Sequence, residues 1–382
     1  MSSWRAMTAA RNVAGMLEPR TNEDSVGERS SLSSSWFAAL PKVELHCHIE
    51  GTMRPSTVAE LSSTHGLPLP AASLDELFTY DDLTGFLTVF WFVQSVLRTP
   101  EDWERLAYES IVDGAVHGLR YREAFFTPAR HLQDGQRLAD IVAALDRGLD
   151  TAERETGVRC RLIFDIDRAF GPDLAVDHVR QLVDLRRSGA PGAERVIGLG
   201  MDSTERGIDP ESFLPAYRLA HAAGLRRTAH QGENSPAAAI AAAVDVLGCE
   251  RIDHGISIFG DPELVRRFAD RRLPFTVCPN ANVRINPDVV PGLGEHVYPA
   301  MREAGLLATL NTDDPALVGL DLTQEYELTA AAFGYDANDM VEISLDGIAA
   351  SWLDDTEAAV LSQEVRAFAR NASTGAPAPP ER

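Results

Sequence analysis

The chain has 382 residues, 45% of them hydrophobic and 24% charged, an ordinary globular balance. Its 57 acidic and 35 basic residues give a formal charge of −22 and a pI near 4.8. Such a polyanion repels the nucleic-acid backbone and anionic membranes, so neither is expected as a partner, whereas a small neutral or cationic substrate and a homo-oligomer both stay open.

Residues 1–35 are rich in Ser, Arg and small side chains and lack the continuous apolar run of a signal peptide, so a flexible N-terminal extension is expected there. No run is long enough to span a bilayer. The four cysteines, Cys47, Cys160, Cys249 and Cys278, are too widely spaced for a disulfide framework or a thiolate zinc site, and reduced thiols point to the cytoplasm.

Val43–Glu44–Leu45–His46–Cys47–His48–Ile49–Glu50–Gly51 reads as a short strand. Residues two apart on a strand point the same way, so His46 and His48 can reach one point while Cys47 faces away. Two convergent imidazoles are half of a metal site, or else two histidines that happen to be close. A helix starts at Pro55 and stops at Gly66. The stretch from Asp82 to Leu97 gathers Phe86, Phe90, Trp91 and Phe92, which suits a buried helix or a lid over an apolar pocket. Thr99–Pro100–Glu101–Asp102 combines an N-cap, a first-turn proline and acids, a strong helix start.

Strand and helix patterns then alternate. Strands are expected at Leu119–Phe125, Cys160–Phe164, Arg195–Gly200, Leu225–His230, Arg251–His254, Pro274–Cys278 and Leu306–Leu310, each followed by helical sequence. Counted from Val43 these are eight units, which argues an α/β fold of the closed (β/α)8 TIM-barrel type with extra helices after Asp336. No linker divides the units, so residues 36–370 read as one domain, with 371–382 as a disordered tail.

Active sites of such barrels lie at the C-terminal ends of the strands. His46 and His48 end the first strand, His230 the fifth, His254 the sixth, and Asp313 and Asp314 follow the eighth. Each alone could be a turn residue with a local hydrogen bond, but the set falls on one rim. Three imidazoles and one carboxylate without a thiolate suit a divalent ion, most simply one Zn²⁺ per chain, which lowers the pKa of a bound water to about 7. Glu233 is better placed as a carboxyl acid or base beside the metal than as a ligand. Adjacent aspartates cannot both face the ion, so Asp313 binds it and Asp314 faces the substrate or the attacking water.

Pro41–Gly51, Ala229–Glu233, Asp253–His254–Gly255 and Asn311–Pro315 together resemble the adenosine/adenine deaminase family, in order and from about Leu40 to about Leu361. The resemblance implies a zinc hydrolase that replaces the amine of a 6-aminopurine, a free base or a nucleoside, by oxygen and releases ammonia. By position it implies His46, His48, His230 and Asp313 as metal ligands. Glu233 would protonate the purine N1, His254 would orient and deprotonate the attacking water, and Asp314 would bond the nucleophile and N7. The family's adenosine enzymes usually carry Asp where Glu50 stands, so Glu50 resembles the free-base, adenine-deaminase branch. The segment Gly198–Gly207 resembles that branch too and makes Ser203 a contact for N3, unless it is simply a turn-rich loop. Gln231, where the family usually has Ala, and Asn280–Ala281–Asn282, where Ser-Asn is usual, leave the substrate open. A different barrel hydrolase with two metals would want a bridging carboxylate or modified lysine on strand four, and Gly200–Met201–Asp202 has no lysine; a non-catalytic binding protein would not need Glu233.

Overall fold

A computed structural model of the chain describes residues 32–374. The expected extension over residues 1–35 lies outside the described residues except at its end, where the Ser33 hydroxyl caps the helix Ser34–Ala39. The last helix, Asp355–Thr374, runs past residue 371, where the sequence places the start of a tail. Asn371–Ala372–Ser373–Thr374 contains no helix breaker, and the first one is Gly375. The rest of the expected tail lies outside the described residues.

Strands β1 (Lys42–His48), β2 (Leu119–Phe126), β3 (Arg159–Asp167), β4 (Val196–Asp202) and β5 (Arg226–Arg227) pair in parallel, in that order. A second parallel set follows: β6 (His230–Gln231), β7 (Ile252–His254), β8 (Pro274–Val277) and β9 (Leu307–Leu310). The single fifth strand expected from sequence is thus β5 and β6, interrupted at Thr228–Ala229. Side chains from other elements take the groups there: the Thr228 carbonyl accepts the Tyr217 hydroxyl at 2.7 Å, and the Thr228 hydroxyl donates to Asp253 Oδ2 at 2.7 Å. The backbone stays in the wall nonetheless, since Thr228 N–H donates to Leu199 C=O and Asp253 N–H to Ala229 C=O. A bridge between Cys47 and Asp313 joins the first strand to the end of the last, and Asn311 spans the seam by accepting Leu45 N–H at 2.8 Å and donating to Val277 C=O at 3.2 Å. The result is the closed TIM barrel that the eight repeats predict.

The wall strands are apolar on both faces because helices cover the outside and side chains fill the inside. Leu162, Leu199, Ile252, Phe275 and Leu310 are all buried. Helix Leu138–Thr156 shows the outer layer: Ile141, Leu145, Leu149 and Ala152 recur at helical spacing on its buried face. Burying each of its larger aliphatic side chains is worth about 1.5–3 kcal/mol. Beneath the rim the interior holds charges in matched sets. Glu44 takes Arg122 Nε at 2.8 Å and the Thr312 N–H at 3.2 Å, and Glu123 takes Arg251 Nη1 at 2.5 Å. Lys42 donates to the carbonyls of Phe37, Leu40 and His117. Among the described residues no helix is long and apolar enough to cross a membrane.

Candidate active site

The rim gathers what the sequence scatters. His46, His48, His230 and Asp313 each offer one ligand atom, and these atoms lie within 4.8 Å of one another, all buried. His46 Nε2 is 3.1 Å from Asp313 Oδ1, His48 Nε2 is 3.5 Å from the same oxygen, and His48 Nε2 is 3.0 Å from His230 Nε2. Tetrahedral donors about 2.0–2.1 Å from one ion stand roughly 3.3 Å apart, so the set fits a divalent cation. The other nitrogen of His46 is engaged, with Nδ1 3.1 Å from Thr276 C=O, which leaves Nε2 bare toward the shared point. That Nε2 is buried and makes no hydrogen bond. Burial pushes His48 down to about 4 and His230 well below the usual histidine range, which favours the neutral form a ligand needs. Burial pushes the Asp313 carboxyl up, but His46, His254 and His48 together outweigh it and hold the carboxyl below the usual range.

Strand ends alone do not aim these side chains. Among the described residues, Ser203, His254, Arg272 and Asp313 are the non-glycine residues with positive φ, and three of the four are at this rim. Left-handed backbone is costly for a side chain with a Cβ, and such strain collects at functional sites. Gly51 serves the site by its small size: a Cβ there would collide with the Asp314 carboxylate.

A cavity lies directly above the donor set. Asp202, Ser203, Glu233, His254, Asp313 and Asp314 supply its polar wall. Leu83, Phe86, Leu87 and Phe90, from helix Leu83–Ser95, which Asp82 caps, supply most of the apolar one, and Ile285 of helix Pro279–Ile285 adds to it. The aromatic stretch is therefore a partly buried helix whose one side roofs the pocket. Glu50 is not among the lining residues. Its Oε1 accepts Thr127 N–H at 2.8 Å, its Oε2 is buried without a partner, and the Thr127 hydroxyl donates to Asp202 at 2.6 Å.

Glu233 is buried, and its carboxyl is pushed well above the ordinary range by that burial first, then by the charges of Asp313 and Glu205. Its Oε1 accepts from Asn286 Nδ2 at 2.8 Å and Asn282 Nδ2 at 3.2 Å. Tyr298 N–H donates to His296 Nδ1, so the hydrogen of neutral His296 is on Nε2 and faces Asn282 Oδ1 at 3.1 Å. The Asn282 amide N–H₂ then meets Glu233 and, at 3.1 Å, His254 Nδ1. His254 Nε2 points inward, 3.7 Å from Glu233 Oε1 and 3.9 Å from Asp313 Oδ2.

Several residues here escape sequence reasoning. Arg168 is buried and donates to the carbonyls of Met201, Asp202 and His230, tying three strand ends together. Asp165 lies 3.9 Å from His48 Nδ1 with neither oxygen hydrogen-bonded. Glu205, Asn286 and His296 are equally silent in sequence; only the alternating Asp165–Asp167–Arg168 end of β3 hints at polar residues on the rim. Gln231 does not enter the cavity: its amide turns to Glu205 at 2.7 Å and Ser235 at 2.9 Å. Asn280 lines a separate surface depression with Tyr80 and Leu328.

Hydrolases that use a divalent ion at the mouth of a (β/α)8 barrel are built in this way, and the chain is of that class. The family model for adenosine deaminase matches residues 41–368, and the chain belongs to that family as a hydrolytic deaminase. It is 39% identical over 321 residues to a protein named adenine deaminase from Streptomyces coelicolor, covering 83% of this chain and 92% of that one. The crystal structure of an adenine deaminase from Arthrobacter aurescens superposes with a TM-score of 0.82 at 34% identity, over 87% of this chain and all of that one. An amidohydrolase from Burkholderia ambifaria with bound Zn gives the same TM-score and identity, over 92% of this chain and 97% of that one.

Proposed function

We propose that the chain hydrolyses adenine to hypoxanthine and ammonia and holds one zinc ion. The observation that carries this reading is the meeting of His46, His48, His230 and Asp313 with a buried, proton-bearing Glu233 at one cavity. The relatives named adenine deaminase support the free base as substrate, and the zinc in the Burkholderia relative supports the metal. The four cysteines are free and buried, which fits a reducing cytoplasm. Acidic net charge favours a small purine over nucleic acid or membrane.

When bound by His46, His48, His230 and Asp313, the ion would supply a water of lowered pKa. Glu233 gives its proton to ring N1, which makes C6 electrophilic. Asn286 and Asn282 both donate to Oε1, whereas Oε2 meets only a longer 3.4 Å contact from Asn234 Nδ2, so Oε2 is the oxygen to carry that proton. Water oxygen adds to C6; one of its protons goes to the amine, which leaves as ammonia, and the other returns to Glu233 as the C6 carbonyl forms, restoring the acid. His254 orients the attacking water: with the Asn282 N–H₂ on Nδ1, its Nε2 carries the hydrogen and faces the water oxygen. Asp314 bonds the nucleophile and N7, Ser203 bonds N3, and Glu50 shapes the base-side wall through Thr127 and Asp202. The roof of Leu83, Phe86, Leu87 and Phe90 excludes bulk water.

Incubating the metal-loaded protein with adenine, adenosine and N6-substituted adenines tests the proposal, with ultraviolet shift and ammonia release as readouts. Turnover of adenine well above adenosine is expected; turnover of adenosine alone would reassign the substrate.

A further inference from the structure

We propose that Glu205, just beyond β4, is a positioning residue that aims Glu233 at the substrate ring; this rests on reading Glu233 as the proton donor. The Glu205 carboxylate is buried and gathers five donors. Oε2 accepts Gly232 N–H at 2.7 Å, Gln231 Nε2 at 2.7 Å and the Ser235 hydroxyl; Oε1 accepts Glu233 N–H at 2.9 Å and Asn234 N–H at 3.1 Å. The grip is mutual, because Glu205 N–H donates to Asn234 Oδ1 at 3.2 Å. Three successive backbone N–H groups converging on one anion form a nest, and Gly232 makes it possible with φ of +80°. Among the described residues no lysine or arginine forms an ion pair with Glu205. Its charge is met by the very segment that carries Glu233, so moving this carboxylate moves the proton donor. The same negative charge adds to burial in keeping Glu233 protonated. Gln231, unexplained by the pocket, completes the clamp from behind.

A neutral amide at this position would set an N–H₂ against N–H donors. Glu205→Gln is therefore expected to keep its metal and hold the adenine KM within about threefold while kcat falls about 100-fold, the scale of lost general acid catalysis. Glu205→Asp keeps an acceptor of the right charge and should recover at least about tenfold of that loss. In a Glu233→Gln background, adding Glu205→Gln should cost less than about threefold more, because no acid is left to aim. Glu205→Gln with wild-type kcat beside an inactive Glu233→Gln overturns the proposal and spares the proton-donor reading. Full activity in Glu233→Gln removes both. Additive losses, or equal loss in Glu205→Gln and Glu205→Asp with metal gone, make Glu205 merely structural. If Glu205→Gln does not fold, Ser235→Ala decides: a drop in kcat of about threefold or more at unchanged KM supports the clamp, and an unchanged kcat overturns it.

Discussion

His46 and Asp313 meet twice: the His46 carbonyl accepts the Asp313 N–H at 3.1 Å, and the bare His46 Nε2 faces Asp313 Oδ1 at 3.1 Å. The first and last strands meet at this contact, so barrel closure and assembly of the donor set are one event. Whatever binds between the donors should therefore stabilise the whole fold.

Removing the ion with a chelator is expected to abolish turnover and to lower the Tm by about 5 °C or more, because a ligand of the folded state alone stabilises it by mass action. Added Zn²⁺ should restore both. Calorimetry with and without chelator checks this; an unchanged Tm after verified metal loss would detach the ion from closure.

Glu233→Gln should retain metal and lose about 10²–10⁴ in kcat, since an amide cannot deliver the proton to N1. Steady-state rates beside metal analysis decide it. Wild-type kcat would assign the proton to another group.

Shortening Glu50 to Asp breaks its bond to Thr127 N–H and loosens the Thr127–Asp202 contact behind the pocket wall. The ratio of kcat/KM for adenine over adenosine should fall by about tenfold, about 1.4 kcal/mol of discrimination. An unchanged ratio would make Glu50 a packing residue.

Glu325 gives a pH signature away from the metal ligands. Its side chain is fully buried, Oε2 has no partner, and burial raises its carboxyl from 4.5 to about 8. Between those values the folded chain keeps a proton that the unfolded chain releases, so this group's contribution to stability is intact below about pH 4.5 and lost as pH rises toward about 8. Glu325→Gln should raise the Tm at about pH 8.5 and leave it unchanged at about pH 4. Thermal melts at both pH values test the sign; equal shifts would remove the linkage.

Lys42→Met withdraws donors from the buried carbonyls of Phe37 and Leu40 and the partly buried one of His117 at the start of β1, the end of the strand away from the rim. Each unsatisfied group costs about 1–3 kcal/mol, so a clear loss in denaturant stability with kcat/KM unchanged is expected. A matching loss of kcat/KM would mean that the floor and rim are mechanically coupled.

Much of this was legible because barrel strands are short apolar runs and barrel chemistry sits at their ends. His46, His48, His230, His254, Asp313 and Asp314 could be found by that rule alone, and the structure brings them together. The split of β5 from β6 was not legible, because it depends on Tyr217 and Asp253 arriving from other elements. Glu205 looks like one more acid in a turn-rich loop, and its meaning appears only when the segment after β6 folds over it. Gln231 drew attention for its place beside a ligand, yet its amide faces away from the cavity. Neither orientation is encoded by spacing along the chain.

The left-handed backbone at Ser203, His254 and Asp313 has a consequence for protein engineering. Glycine relieves such a conformation, so screens that reward heat tolerance alone would drift toward Gly at these three places, gaining robustness while erasing chemistry. Directed evolution of this scaffold should therefore score deamination in every round.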